Sequence, residues 1–294
     1  MSSPPPRTHT VRIARECYGA DPTADDVPVV AGDTVRIDMS HVDLFRPSGL
    51  AYVFALAFTA QRRGAMVRII QPAPGIRLDY LRRANFFNVL VQQGLDIPQG
   101  RGPLDPGDSP GLIKPSIVKT TDTTMENVRT SEILYDRFRR ALEHLHLEGH
   151  DRAASVFSEL SLNAAEHSRS PNGAFVMAQA YPDRHAIELA VADVGCGIRS
   201  ALGEDRYTSD TEAILAALQE EVTGRRDAGG QLAAGGYGLP TVAEEADILE
   251  IRSGDALLQS GSDRNERGEL ILYPRTVPRL DGTLVVATVS TDRI

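Results

Sequence analysis

Residues 158–168 read SELSLNAAEHS, and three polar side chains in this segment recur at every fourth position. Glu159, Asn163 and His167 therefore fall on one face of a helix, about one turn apart. The leucines and alanines between them are typical of a helix buried in a core. A column of a carboxylate, an amide and an imidazole on such a helix is a solvated stripe, a set of hydrogen-bonded core groups or the wall of a binding site.

Two more motifs follow in the chain. Residues 191–198, VADVGCGI, run a strand directly into Asp193, Gly195 and Gly197. Residues 235–246, GGYGLPTVAEEA, place glycines immediately before a helix. Taken alone, the first pattern is usually a turn and the second is a common loop-to-helix transition. The order and spacing of the three motifs together favour a binding site.

The segments ELSLNAAEH, DVGCGI and GGYGL resemble the motifs of the GHKL superfamily of ATP-binding domains. This superfamily includes gyrase, the large heat-shock chaperone, histidine kinases and mismatch-repair ATPases. The arrangement of Glu, Asn and His is most similar to that of the anti-sigma-factor serine kinases. The resemblance covers roughly residues 120–294. It implies a Bergerat α/β sandwich with a mainly antiparallel sheet, and ATP and Mg²⁺ as cofactors.

The resemblance also implies roles for the helix column. Asn163 would donate its amide oxygen to Mg²⁺, an ion that takes few protein oxygens and keeps several waters. Glu159, one turn earlier, would be the catalytic base that orients or deprotonates an attacking hydroxyl. His167 would contact phosphate or ribose.

The two glycine motifs would complete the nucleotide site. Asp193 would accept a hydrogen bond from the adenine amino group. Glycines let a backbone come close to a ligand because they lack a Cβ, and backbone N–H groups at the start of a helix favour anions. The nucleotide-binding residues predicted in these motifs, in addition to Asp193, are Gly195, Gly197, Ile198, Gly236, Gly238 and Leu239.

A change in amino-acid composition divides the chain into an N-terminal part, predicted to be α/β, and a C-terminal part, predicted to be α+β. Strands alternate with helices in residues 1–105, which predicts a small sheet with helical cover. Residues 106–123 lie in a stretch rich in Gly, Pro and Asp and are predicted to be a linker. The resemblance implies that residues 124–294 form the ATP-binding domain. RLDYLRRANFFNVLVQQG predicts one amphipathic helix over residues 77–94. Near the end of the chain, ILEIRSG, GELILYP and GTLVVATVS predict three strands.

The first part resembles a STAS domain, the fold of anti-sigma-factor antagonists. The matching features are the strand VRIDMS, the loop ending in PSGL at a helix start, and RRGAMVRII leading into the next strand. The resemblance covers about residues 9–100 and implies Ser48 as a phosphoacceptor. Arg46 and Pro47 depart from the acidic and hydroxyl residues usual in the family. The alternative is that Ser48 caps the helix.

Composition limits the function classes. The net charge of −9 argues against a protein built mainly to hold nucleic acid. The two cysteines, Cys17 and Cys196, do not form a CxxC pair, which argues against a disulfide framework or a thiolate zinc site. Since no apolar run approaches the roughly 18 residues of a membrane span, we expect a soluble cytoplasmic protein without a membrane partner. The family resemblance implies a homodimer.

Two functions are compatible with these motifs. The first is a regulatory serine kinase of the anti-sigma type, which acts on or through a STAS protein or a sigma-factor-like regulator. The second is a nucleotide-gated interaction module, in which ATP changes a binding surface and hydrolysis is slow or absent. A sensor histidine kinase is disfavoured because the sequence lacks a membrane segment and long paired helices.

Overall fold

The computed structural model describes residues 5–17, 29–97, 111–119, 124–143, 145, 149–219 and 238–291. Within them the protein is a mixed α/β structure with a parallel three-stranded sheet and an antiparallel five-stranded sheet. No helix in these ranges is long and apolar enough to cross a membrane. The mainly antiparallel second sheet predicted from the sequence is confirmed.

The N-terminal unit, residues 5–97, contains the parallel sheet in the order β1-β3-β5. Alternate residues of β3 are buried and exposed, as expected for a strand with one covered face. A pair of two-residue strands, β2 and β4, lies beside this sheet. The elements are β1 (Thr8–Arg12), β2 (Glu16–Cys17), β3 (Thr34–Asp38), β4 (Leu44–Phe45), α1 (Pro47–Arg62), β5 (Met66–Ile70), α2 (Ile76–Arg83) and α3 (Phe86–Gln92).

The single helix predicted over residues 77–94 is wrong. The helix ends at Arg83, and a second helix starts at Phe86. Between them Asn85 adopts a left-handed conformation with φ of 59°. Asparagine tolerates this region better than most residues because its short polar side chain bonds locally, and here Asn85 Oδ1 accepts from Asn88 Nδ2. The hydrophobic periodicity of the sequence gives no sign of this break, because a single backbone conformation at Asn85 makes it.

The C-terminal unit, residues 111–291, contains the antiparallel sheet in the order β6-β7-β8-β10-β9. Helices α4, α5 and α8 cover one side of it, and short 3₁₀ turns follow β7 and α6. The elements are β6 (Leu112–Val118), α4 (Thr124–Glu143), α5 (His150–His167), β7 (Ala174–Tyr181), β8 (Ala186–Asp193), α6 (Gly197–Leu202), α7 (Asp210–Ala217), α8 (Gly238–Glu245), β9 (Ile248–Arg264) and β10 (Leu270–Ser290).

Part of the segment predicted as a linker, residues 106–123, is a strand. β6 pairs antiparallel with β7, with Ile117 opposite Phe175, and forms an edge of the sheet. The register shifts between Ile113 and Ser116. Pro115 lies at this shift, and proline has no N–H to donate to a ladder, which is why it is confined to edges and bulges. The residues around this strand are rich in glycine and proline, so the sequence pattern indicated a linker instead.

The three strands predicted near the end of the chain are two long ones. β9 takes in the first segment, and β10 joins the second and third. Their pairing shifts register twice between Thr276 and Thr283, where the hairpin bends. Gly254 faces this bend with φ of +61°, and Asp210 Oδ2 lies where a Cβ of residue 254 would be. Glycines in this region predicted the ends of strands, but in the structure they lie at a bend within the continuous strands β9 and β10.

The C-terminal sheet is covered on both faces. On the front face, Ile187, Leu189 and Val191 of β8 join a core with α4, α5 and α8. On the rear face, Ala190 and Ala192 of β8 join the core of the N-terminal unit. Here α1 packs along β8, β10 and β7.

Aromatic contacts bind the two units together. The ring of Phe175 on β7 lies 5.3 Å from Phe54 of α1 and 6.2 Å from Phe86 of α3. These three side chains are fully buried. The N-terminal unit therefore shares one continuous core with the rear face of the sheet.

Candidate functional site

Helix α5 carries the polar column on the front side of the sheet. The helix begins at His150, directly after Gly149 at the N-cap position. No side-chain hydrogen bond from this residue caps the first turn. Its buried stripe, which includes Phe157 and Leu160, packs into the front core. Glu159, Asn163 and His167 are half-buried beside that stripe. The column is therefore neither a fully solvated face nor part of the core interior.

Asn163 lies directly against the start of α8. A Cβ added to Gly238 would be 2.6 Å from Asn163 Nδ2 and 2.8 Å from its Oδ1. Only a glycine fits at residue 238 without displacing this amide. The Nδ2 atom is buried and has no hydrogen-bond partner in the described part of the chain. Because a buried donor without a partner is costly, this amide is the strongest sign of a ligand on the front face.

Glu159 has an unusual electrostatic environment. Burial raises the pKa of its carboxyl above the ordinary value, and the negative charge of Glu166 raises it further. The described residues supply no hydrogen bond or ion pair to Glu159. A carboxylate held in this way is a better proton acceptor near neutral pH than an exposed one.

Glu166 is an acidic residue beside the column that the four-residue spacing did not indicate, and its charge raises the pKa of Glu159. It lies seven positions after Glu159, which is two helical turns and about 20° from alignment. His167, at eight positions, is about 80° away and is less well aligned. The imidazole is about one-third exposed, and its Nε2 lies 4.0 Å from Glu166 Oε2. An angle of 100° per residue aligns Glu159 with Glu166 better than with His167. This angle, unlike a regular spacing of four residues, would have indicated Glu166.

Asp193 ends β8 and points to the front face, because it continues the alternation of Ile187, Leu189 and Val191. It is 4% exposed. Its Oδ1 accepts from the backbone N–H of Gly195 at 2.7 Å, and the backbone of Thr283 donates a second bond. Burial nevertheless raises the pKa of Asp193 to about 7.

The loop after β8 is packed against the end of α5. The backbone N–H of Cys196 donates to Ser168 O at 2.8 Å. A Cβ on Gly195 would lie 1.7 Å from the same oxygen. The absence of a Cβ at Gly195 therefore makes room for this carbonyl, and the contact of Gly195 with a ligand stays a prediction. Burial raises the pKa of the Cys196 thiol, which disfavours its reactive thiolate form.

Gly197 and Ile198 are also fixed by internal contacts. Gly197 has φ of +75°, and a Cβ there would lie 3.0 Å from Ser253 Oγ. The N–H of Ile198 donates to the same hydroxyl at 2.9 Å. Leu239, at the start of α8, is half-buried against the front core. Gly236 lies outside the described residues.

Ser48 lies on the opposite side of the sheet. Helix α1 starts at Pro47, a favoured first residue, so Arg46 is the N-cap and Ser48 is the second helical residue. The alternative that Ser48 caps the helix is therefore wrong. Ser48 is 3% exposed, and its N–H donates to Glu188 Oε1 at 3.0 Å. The hydroxyl is not accessible to an enzyme in this arrangement.

A polar cleft of about 430 Å³ opens beside the loop after β8. Its walls come from the end of α1, from α6 and from the bend of the β9–β10 hairpin. Arg279 in its wall pairs with Asp210 at 3.2 Å, and Asp281 pairs with Arg63 at 3.1 Å. No residue of α5 or α8 lines the cleft, so it is separate from the Asn163 region.

The described parts of the three motifs thus meet around the second half of α5. Asn163 contacts Gly238, and Ser168 contacts the Asp193 loop. No family model matches the chain in a scan against protein-family models, and a search of curated proteins finds no matching relative.

Proposed function

We propose that the chain is a regulatory protein that binds Mg-ATP on the front face, between α5, α8 and the loop after β8. The observation that carries this proposal is the buried Nδ2 atom of Asn163, which has no partner in the described ranges and lies against the first residue of α8. A helix start near an unpaired amide is suited to an anionic ligand. The resemblance to GHKL domains is the reason for proposing ATP as this ligand.

The side chains present fit Mg-ATP. Asn163 Oδ1 would serve as the one protein oxygen that Mg²⁺ needs when phosphates and waters supply the rest, and Nδ2 would donate to a phosphate oxygen. The described residues contain no cluster of three or more acidic, His or Cys ligands that could hold a metal by themselves. Asp193 would accept from the adenine amino group through the oxygen that Gly195 does not use.

Bound Mg²⁺ would neutralise phosphate charge that builds up during γ-phosphoryl transfer. The protein's own part is positioning and proton transfer. Glu159 would accept the proton of an attacking hydroxyl as the new O–P bond forms and ADP leaves, and its raised pKa suits that role. Glu166 would keep the pKa of Glu159 high.

The first candidate function is therefore a serine kinase that acts on a separate protein, such as a STAS protein or a sigma-factor-like regulator. The chain's own Ser48 is a poor acceptor here, because it is buried on the rear face while Glu159 is on the front helix layer. A phosphorylation switch confined to one chain would need the N-terminal unit to leave the sheet.

The second candidate, a nucleotide-gated interaction module, is favoured by the shared core. β8 contributes Asp193 to the front site and Glu188 to the contact with α1. A shift of this strand on nucleotide binding would reach the N-terminal unit directly. This candidate requires binding but no turnover.

Comparison of Glu159→Gln with the wild type tests the two candidates. For a kinase or ATPase, the variant binds a fluorescent ATP analogue with unchanged affinity and loses at least 100-fold in γ-phosphate release or transfer. For a gated module, neither protein turns over ATP. Failure of both proteins to bind the analogue contradicts the proposed function as a whole.

A further inference from the structure

The polar cleft beside the loop after β8 lies between the two units. The N-terminal unit contributes Arg62, the last residue of α1, and the C-terminal unit contributes Arg199 of α6. The loop after β8 and the bend of the β9–β10 hairpin complete the walls. The volume of about 430 Å³ is within the range of small-molecule sites. A small ligand bound there would contact both units at once.

Two of the three acidic residues in the walls are already paired. Asp210 is 7% exposed, and its Oδ2 accepts from Arg279 Nη1 at 3.2 Å and from the N–H of Asp255 at 3.1 Å. Asp281 Oδ1 accepts from Arg63 Nη2 at 3.1 Å. These two carboxylates therefore neutralise Arg279 and Arg63 and leave the other cations of the cleft without a counter-ion.

Two guanidinium groups in the walls lack a partner. Arg62 and Arg199 make no hydrogen bond or ion pair with any residue that the structure describes. The Nε atom of Arg199 is also buried, so water does not replace the missing partner. Because a buried donor without an acceptor is costly, this atom favours a ligand oxygen in the cleft. Unpaired positive charge on two sides of the cleft favours an anion.

The chemistry of the walls favours a phosphate group. A guanidinium presents paired N–H groups that match the oxygens of phosphate or carboxylate. Two such groups suit a phosphate, which carries up to two negative charges and three free oxygens.

The rest of the cleft favours a ligand with hydroxyl groups. Leu280 is the one aliphatic side chain among the described wall residues, so an apolar ligand would gain little there. The hydroxyl of Ser200 and the exposed carboxylate of Glu204 also line the cleft, and both can bond to ligand hydroxyls. A free phosphate ion, comparable in size to a few water molecules, would fill only a fraction of the volume.

We propose that this cleft binds a small phosphomonoester of a polyol or sugar through Arg62 and Arg199. The phosphate group neutralises both guanidiniums, and the hydroxyl groups of the ligand face Ser200 and Glu204. Since Arg62 belongs to α1 and Arg199 to the helix after β8, the bound ester strengthens the contact between the two units. The site is independent of the proposed nucleotide site, because Asn163 and Gly238 lie outside its walls.

Calorimetric titration with glycerol 3-phosphate and with ribose 5-phosphate tests the proposal. We expect saturable binding of at least one ester to the wild type. Arg62→Gln and Arg199→Gln should each weaken it at least about tenfold, because each removes a charged donor to the phosphate. Arg68→Gln is the matched control, since it removes the same charge from an exposed position on β5, and it should bind like the wild type. Unphosphorylated ribose should not bind.

Three results would overturn the proposal. The first is that neither ester binds the wild type, and the second is that both arginine variants bind like Arg68→Gln. The third is that inorganic phosphate binds as tightly as the esters, which would reduce the cleft to a site for the free ion. Arg62 is exposed, so its replacement keeps the test decisive if Arg199→Gln fails to fold.

Titration of an ATP analogue in the presence of the ester separates this cleft from the nucleotide site. We expect the Kd of the analogue to level off as the ester concentration rises, and Asn163→Ala to bind the ester like the wild type. A Kd that rises in proportion to the ester would indicate one shared site and contradict the inference. The ester titrations need no nucleotide, so their result stands even if the protein does not bind ATP.

Discussion

The carbonyl oxygen of Ser168 accepts a hydrogen bond from the backbone N–H of Cys196 at 2.8 Å, and this bond joins the end of α5 to the loop after β8. Together with the contact between Asn163 and Gly238, it draws three separate segments of the chain around one helix. We expect this convergence to be needed both for the stability of the fold and for nucleotide binding.

Gly195→Ala should destabilise the fold by about 2–3 kcal/mol, since the added methyl would lie 1.7 Å from Ser168 O and must push the loop away from α5. Chemical denaturation measures this loss. Gly261→Ala is the matched control, because the nearest atom to its Cβ is at 3.9 Å. Equal stability of the two variants would mean that the loop does not pack on α5 in this way.

Gly238→Ala should weaken Mg-ATP binding at least tenfold with a smaller effect on stability. The new methyl would lie 2.6 Å from Asn163 Nδ2 and would turn the amide away from its ligand. Titration with a non-hydrolysable ATP analogue gives the affinity, and Gly261→Ala again serves as the control. Unchanged affinity would remove Asn163 from the proposed site.

Glu166→Gln should move the acid limb of any pH–rate profile to lower pH. The negative charge of Glu166 raises the pKa of Glu159, so its removal lowers that pKa. A base is active only when deprotonated, so the variant retains activity at pH values where the wild type has lost it. A limb that stays in place would show that Glu159 is not the group that titrates.

Because of Asp193, the free energy of unfolding should fall as pH rises. Burial raises its folded pKa to about 7 from an ordinary value of 3.8, so between these values the folded state keeps a proton that the unfolded chain releases. The stabilisation is complete below pH 3.8 and is lost as pH rises through 7. It amounts to about 4 kcal/mol at most.

Asp193→Asn should therefore lose less stability than the wild type between pH 5 and pH 8. Denaturation midpoints at the two pH values measure the difference, with the exposed Asp183→Asn as a control. If the wild type and Asp193→Asn show the same dependence on pH, the carboxyl keeps its ordinary pKa and is not held in a dry environment.

Local patterns predicted those parts of the fold that depend on neighbouring residues. The polar spacing of Glu159 and Asn163 placed both on α5, and the alternation before Asp193 predicted the end of β8. Asn85 shows the limit, because one left-handed residue interrupts a hydrophobic pattern that would otherwise continue.

Contacts between distant parts of the chain were not predictable in the same way. The bond between Ser48 and Glu188 joins the second residue of α1 to the third residue of β8, and the two segments share no local pattern. β8 reads as a nearly continuous apolar strand, and nothing in its own sequence shows that α1 covers its rear face.

The central claim is that Mg-ATP binds against Asn163, and calorimetric titration with ATP and Mg²⁺ tests it most directly. We predict a saturable heat for the wild type, a loss of at least tenfold in affinity for Asn163→Ala, and no change for Ser161→Ala, which removes only a bond to Phe157 O within the same helix. Absence of any binding heat in the wild type, or equal affinity in Asn163→Ala, would contradict the account.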